Sequence, residues 1–293
     1  MAGRRIHRTL CAGSMPRASF RELVESAAGA GFDAVSMWAR THHRATTREG
    51  LSEADMSALL EEHGLVISEM EAVDTWLPVE VEPVAGNPPL DVDKFLDVAE
   101  ALRVRSVVAI QSAGVDLSFD VVVQHFWELC RRARERGLEV ALEAPAFAVL
   151  DDIGKAWAVV EAADCENAGV LVDAWHHRRS CATDEALERV PGHRVLCVQL
   201  ADGPMQPERD LLQETIWRRR PLGAGDFKLA ALLERLEAMG VVCPVGPEIY
   251  DEDSDHDDPA QTALRLARQM DRLVEAAGCN LGRAASQTTE SSR

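Results

Sequence analysis

The chain alternates short, nearly unbroken apolar runs with longer amphipathic stretches. Arg5–Ala12, Ala34–Ala39, Leu65–Val73, Ser106–Ser112, Leu138–Leu142, Gly169–Val172, Val195–Leu200 and Val241–Gly246 are the runs. Their length and continuity suit strands covered on both faces, as in a parallel sheet. Between them lie segments of helical period: Ser19–Ala30, with Phe20, Leu23, Val24 and Ala27 on one face, then Ser52–His63, Val92–Arg103, Phe119–Arg136, Asp152–Ala163, Thr183–Val190, Phe227–Met239 and Pro259–Ala277. Gly31, Gly64, Gly137 and Gly240 close four of them as C-terminal stops. Eight strand–helix units in one chain predict a single-domain α/β fold, a (β/α)8 barrel over residues 1–278, with residues 279–293 as a disordered tail. A doubly wound open sheet is the rival. It loses because no GxGxxG follows the first strand and no GxxxxGK[ST] occurs.

At 293 residues and 46% hydrophobic, the chain has ample material for one core. The net charge of −18 argues against nucleic acid as partner, because phosphate contacts need clustered Lys and Arg. Seven cysteines stand singly without metal-type spacing, so neither a disulfide framework nor a thiolate site is expected. No segment has the pattern of a signal peptide or the length of a membrane span, which predicts a cytoplasmic protein acting on a small molecule away from membranes.

In such a barrel, chemistry collects where strands end. Glu143 follows the fifth strand, Asp173 and His176 the sixth, Gln199 ends the seventh, and Glu248 follows the eighth. Three carboxylates converging on one side of a barrel mouth repel unless a cation lies between them. An oxygen-rich set of Glu143, Asp173, Gln199 and Glu248 suits a hard divalent ion, Mn²⁺ or Mg²⁺ first, with Co²⁺ or Zn²⁺ as further candidates. Trp38, Trp76 and Trp175, with Met15, Met37 and Phe147, fall near strand ends and would make an apolar wall suited to a ring-bearing substrate. His42 and His43 read as an ordinary loop.

The segments Val140–Glu143, Leu171–His176, Val198–Asp202 and Arg220–Asp226 resemble the xylose isomerase-like TIM barrels. That group holds sugar and sugar-phosphate isomerases and epimerases, inosose and dehydroshikimate dehydratases, and AP endonucleases. The resemblance spans about residues 5–278. It implies one divalent ion held by Glu143, Asp173, Gln199 and Glu248, with Glu143 and Glu248 as acid and base and His176 contacting substrate. It also implies that Arg218 or Arg220, in the run before Leu222–Gly225, meets a substrate oxygen. Gln199 departs from the histidine common in the epimerases. At the places where the endonucleases carry additional metal-binding histidines this chain has Glu71, Gln111 and Gln199, which sets the DNA-repair branch aside. The activity implied is a metal-dependent isomerase or epimerase of a hydroxy-carbonyl compound. The alternatives are a metal-dependent dehydratase of a cyclic keto-polyol, or a catalytically silent metabolite-binding barrel. Homo-oligomerisation is compatible with the resemblance, and no residue pattern decides it.

Overall fold

The computed structural model describes residues 8–80, 90–111, 116–207, 210–251 and 257–282. Eight parallel strands pair in sequence order: β1 (Thr9–Leu10), β2 (Ala34–Trp38), β3 (Val66–Val73), β4 (Ser106–Ala109), β5 (Glu139–Leu142), β6 (Ala168–Asp173), β7 (Val195–Leu200) and β8 (Val245–Pro247). A parallel bridge between Arg8 and Val245 brings the last strand against the first, so the sheet forms a nearly closed barrel. The fold is the (β/α)8 barrel that the apolar rhythm predicts.

Helices α1 (Phe20–Gly29), α2 (Ala39–Thr47), α3 (Glu53–His63), α4 (Val92–Ala101), α5 (Phe119–Glu135), α6 (Ile153–Ala163), α7 (Ala174–Arg179), α8 (Asp184–Glu188), α9 (Leu211–Trp217), α10 (Leu229–Ala238) and α11 (Pro259–Ala277) lie between and after the strands. Local chemistry sets several ends. Ser19 and Glu22 form a capping box for α1, Ser52 and Asp55 one for α3, and Asp258 caps α11 ahead of Pro259. Three helices went unread in the sequence. His42 and His43 stand on α2 rather than in a loop, α7 follows β6 directly, and α9 lies in the segment between β7 and α10. The polar tail begins later than expected as well. Cys279 and Leu281 are buried, and the carbonyl of Gly282 accepts a 2.6 Å hydrogen bond from Arg8 Nε. The remainder of the expected tail, 283–293, lies outside the described residues, as do residues 5–7 of the first predicted strand.

The strands separate two cores by their period of two. Val140, Leu142, Val170, Val172 and Val198 face the helices in the large outer core. Val108, Ala141, Leu171 and Cys197, joined by Leu196 at the slip in register between β6 and β7, form a separate small cluster, the plug of the barrel interior. Two residues further along the same strands, and so on the same face, come Glu143, Asp173 and Gln199. The period that buries the plug therefore also aims these three side chains into the mouth. Closure of the barrel depends on Gly246, where an added Cβ would overlap the carbonyl oxygen of Thr9 and crowd Cys11 Sγ. Gly246→Ala should cost at least about 2 kcal/mol, because backbone rather than a flexible side chain must give way. Urea unfolding of the two proteins measures this, and equal midpoints would mean that β1 and β8 are not held at this spacing.

Candidate metal centre and active site

Register delivers the site. Asp173 pairs with Gln199, and Gln199 with Gly246, so the inward residues of β6 and β7 stand side by side. Glu143 Oε1 and Asp173 Oδ2 each lie 3.6 Å from His176 Nε2, on the first turn of α7. Atoms of Glu143, Asp173 and His176 all fall within 4.8 Å of one another. Glu248 closes the ring from β8, and its Oε1 accepts a 2.8 Å hydrogen bond from the Tyr250 hydroxyl.

The cation at the centre is Arg219. Its Nη1 donates to Asp173 Oδ2 at 3.0 Å and to Glu248 Oε2 at 3.1 Å, and its side chain is 1% exposed. Burial opposes its charge, but Asp173 and Glu248 more than offset this and hold the guanidinium firmly protonated. The sequence had singled out Arg218 or Arg220 to meet a substrate oxygen; the arginine among the carboxylates is the one between them. The segment is extended: Arg220 exchanges backbone hydrogen bonds with Asp202, Arg218 bridges to Asp251, and Arg219 N–H donates to the Tyr250 carbonyl. Alternation along that segment turns the middle arginine inward and leaves its neighbours half-buried. Asp202 fixes the segment by accepting from the backbone N–H groups of Gly203, Phe227 and Gly223. A Cβ at Gly225 would collide with that carboxylate, which explains the glycine.

The tryptophans separate. Trp38 lies under Arg40, 3.5 Å from guanidinium to ring, and tilts against Tyr250 beside Glu248. Trp76 donates to the Ile110 carbonyl and packs edge-on against Phe126 of α5. Trp175 is fully buried, bonded to Thr215 and packed on Phe227 with Arg179 and Arg219 over its ring. The structure thus brings Trp38 to the centre, and uses Trp76 and Trp175 as packing behind it. Phe147 meets His176 edge-on at 5.7 Å, while Met15 and Met37 are core.

His176 has a defined tautomer. The N–H of Ala146 donates to its Nδ1 at 3.1 Å, so the neutral ring carries its proton on Nε2, which faces Glu143 and Asp173. Burial lowers its pKa to about 4. In this tautomer Nε2–H is a hydrogen-bond donor directed at the two carboxylates.

Two glutamates that the candidate set had not included complete the interior. Glu69 and Glu71 on β3 are buried. Burial pushes Glu69 up to about 7, and burial with the neighbouring Glu69 pushes Glu71 up to about 8. Burial first, then Asp173, raises Glu143 well above the carboxylate range, and burial and then Glu71 do the same for Glu248. Arg219 alone therefore does not compensate the interior. Gln199 Oε1 is buried without a hydrogen-bond partner among the described residues. Excess carboxylate and an orphaned amide oxygen are what a divalent-cation site leaves when only protein atoms are considered. Glu143, Asp173, Gln199 and Glu248 fit such an ion. Hydrogen bonds already made by Asp173 and Glu248 leave lone pairs for it.

A closed parallel barrel with an oxygen-donor centre at its mouth defines the class. The family model for the xylose isomerase-like TIM barrel matches residues 24–270, and the chain belongs to that family. A protein of Pseudomonas aeruginosa named 3-dehydroshikimate dehydratase is 26% identical over 236 residues, 79% of this chain and 36% of that protein. The chain spans about a third of the length of that curated relative. Among solved structures, a xylose isomerase-like TIM barrel/4-hydroxyphenylpyruvate dioxygenase fusion protein superposes with a TM-score of 0.82 at 22% identity, covering 94% of this chain and 43% of the other. The IolI protein with a bound zinc atom superposes at 0.81 and 15% identity, covering 92% and 98%. No helix among the described residues is long and apolar enough to cross a membrane.

Glu69 supplies a test of the interior charge. A carboxyl whose folded pKa is raised stabilises most below its unfolded value near 4.5 and loses that contribution as pH rises through about 7. Glu69→Gln in chelator-treated protein should remove roughly 3 kcal/mol of this decline. Urea unfolding at intervals between pH 5 and 8.5 measures it. Parallel profiles for the two proteins would show that Glu69 is not protonated in the fold.

Proposed function

We propose that the protein is a divalent-metal-dependent dehydratase of a cyclic hydroxy-ketone, with 3-dehydroshikimate as the first substrate to test. One observation carries the choice of elimination over epimerisation. The carboxylates are not equivalent: Glu248 has one oxygen taken by Tyr250 and the other by Arg219, whereas the Glu143 carboxylate accepts no hydrogen bond among the described residues and faces His176 Nε2–H at 3.6 Å. Epimerisation needs an acid and a base on opposite faces of the substrate. Loss of water from one face needs a single carboxyl. The similarity to a dehydratase supports the same choice. Isomerase or epimerase, favoured from the sequence, becomes the second reading.

Glu143, Asp173, Gln199 and Glu248 would hold the metal, which would supply Lewis acidity to the substrate's carbonyl. Glu143 takes the proton from the carbon next to the ketone, the electron pair of that C–H bond forms the ring double bond, and the C–O bond beyond it breaks. The Glu143 carboxylic acid returns the proton to the departing hydroxyl, so water leaves and the carboxylate is restored. Its raised pKa suits both halves of that exchange. His176 Nε2–H steadies the oxygen that gains charge, and Arg219 fixes Asp173 and Glu248 in place. Trp38 and Phe147 offer apolar faces to a ring.

With Mn²⁺ or Mg²⁺ present, 3-dehydroshikimate should lose one water, read by mass spectrometry and by growth of aromatic absorbance. Glu143→Gln should lower kcat by at least about 10³, within the range of a lost acid–base group combined with a weakened ligand set. Solvent deuterium entering hydroxy-ketones without mass loss would establish the epimerase instead. Metal binding with neither reaction would favour the binding protein. Arg219→Met should raise the metal dissociation constant and lower kcat at least tenfold, because Asp173 and Glu248 lose their shared donor; titration with Mn²⁺ checks it, and an unchanged constant would remove Arg219 from the site.

A further inference from the structure

We infer that Glu71 is a positioning residue that makes Gln199 a metal ligand by holding its amide in one orientation across the barrel; this rests on the metal site proposed above. Strands β3 and β7 stand opposite each other in the ring of eight, yet Gln199 Nε2 donates to Glu71 Oε2 at 3.0 Å, with both residues buried.

A glutamine amide has two ends of nearly equal size and opposite character. Unrestrained, it presents oxygen or NH2 to a neighbour with little steric preference, and an NH2 facing a cation repels it. Glu71 removes that freedom. In the observed arrangement Oε2 is the acceptor, as it is when the carboxyl is ionised or carries its proton on Oε1, and an acceptor there can be faced only by the NH2 end of Gln199. Turning the amide over would set two acceptor oxygens against each other in a buried site, where neither finds water. The oxygen end is then committed, and Gln199 Oε1 is the atom left without a donor. Asp173, its register partner on β6, lies beside it. A histidine ligand commonly takes its orientation from a carboxylate on its far nitrogen, and here the same arrangement serves an amide.

The test is a double-mutant cycle on metal affinity, read by Mn²⁺ titration followed by electron paramagnetic resonance and by the visible spectrum of the Co²⁺-loaded protein. Glu71→Leu, which removes the acceptor, should weaken Mn²⁺ binding ten- to a hundredfold. Gln199→Ala should weaken it at least as much. Adding Glu71→Leu to Gln199→Ala should then change affinity by less than twofold, because no amide remains to be oriented. Glu71→Gln keeps an acceptor oxygen in place and should restore most of the affinity and the wild-type Co²⁺ spectrum. A full, independent loss from Glu71→Leu in the Gln199→Ala background would overturn the inference and make Glu71 a ligand itself. Wild-type affinity in Glu71→Leu, with loss in Gln199→Ala, would overturn it too. If Asp173→Ala and Gln199→Ala both bind Mn²⁺ like the wild type, the metal-site reading has failed rather than the role of Glu71. Should Glu71→Leu be insoluble, Gln199→Glu asks the same question. A carboxylate has two like ends and needs no orienting, so Gln199→Glu should bind Mn²⁺ at least as tightly as wild type, and adding Glu71→Gln to it should change affinity by less than twofold; a tenfold loss on adding Glu71→Gln would overturn the inference.

Discussion

Burying carboxylates is the constraint around which this barrel is built. Glu69, Glu71, Glu143, Asp173 and Glu248 all sit below one-tenth exposure inside or just above the strands. A charged carboxylate in such a place costs several kcal/mol unless paired, and Arg219 is the buried cation that bonds to two of them. One guanidinium against this many acids leaves two outcomes: protons on some carboxyls, or a further cation. The upward shifts at Glu69, Glu71, Glu143 and Glu248 express the first, and the donor set expresses the second. The metal binding proposed for this site would therefore exchange protons for an ion where buried carboxylates demand positive charge.

Much of the loop architecture at the mouth follows from delivering that arginine. Arg219 reaches the centre because Asp202 pins the segment after β7 from one side and Tyr250 holds it from the other. The same Tyr250 then donates to Glu248. The backbone of Arg219 and the carboxylate of Glu248 are thus positioned by one residue. Behind them, Trp175 supports Arg219 from below while Arg179 pairs with the buried Glu214. Two buried guanidiniums share a single indole, one paired with Glu214 and one with Asp173 and Glu248.

The strands were legible because strands of a parallel barrel are apolar on both faces. All eight appear near their predicted places, and β7 and α11 at their predicted bounds. The residues that face the mouth were legible for a related reason: a carboxylate or amide directly after such a run has only the barrel mouth to enter. What stayed hidden carries no such signal. Helix α2 buries only Thr41 and Ala45, so its period is nearly invisible. Helices α7 and α9 are six and seven residues long, too short for periodicity to speak. Glu69 and Glu71 lay within a strand, where pairing slips by one residue between β2 and β3 and alternation ceases to report facing. A charged residue inside an apolar run was itself the available signal, since Glu is rarely buried without a task.

The three consecutive arginines show where sequence reasoning gives out and backbone takes over. Arg218, Arg219 and Arg220 have the same chemistry, and nothing in composition separates them. Antiparallel bridges on either side fix the segment as extended, and an extended segment alternates. Once Asp202 holds Arg220 and Asp251 meets Arg218, the inward position belongs to Arg219. The selection is made by Asp202, whose carboxylate gathers three backbone N–H groups from a turn that only glycine at 225 allows. A carboxylate that never touches the centre thus decides which arginine does.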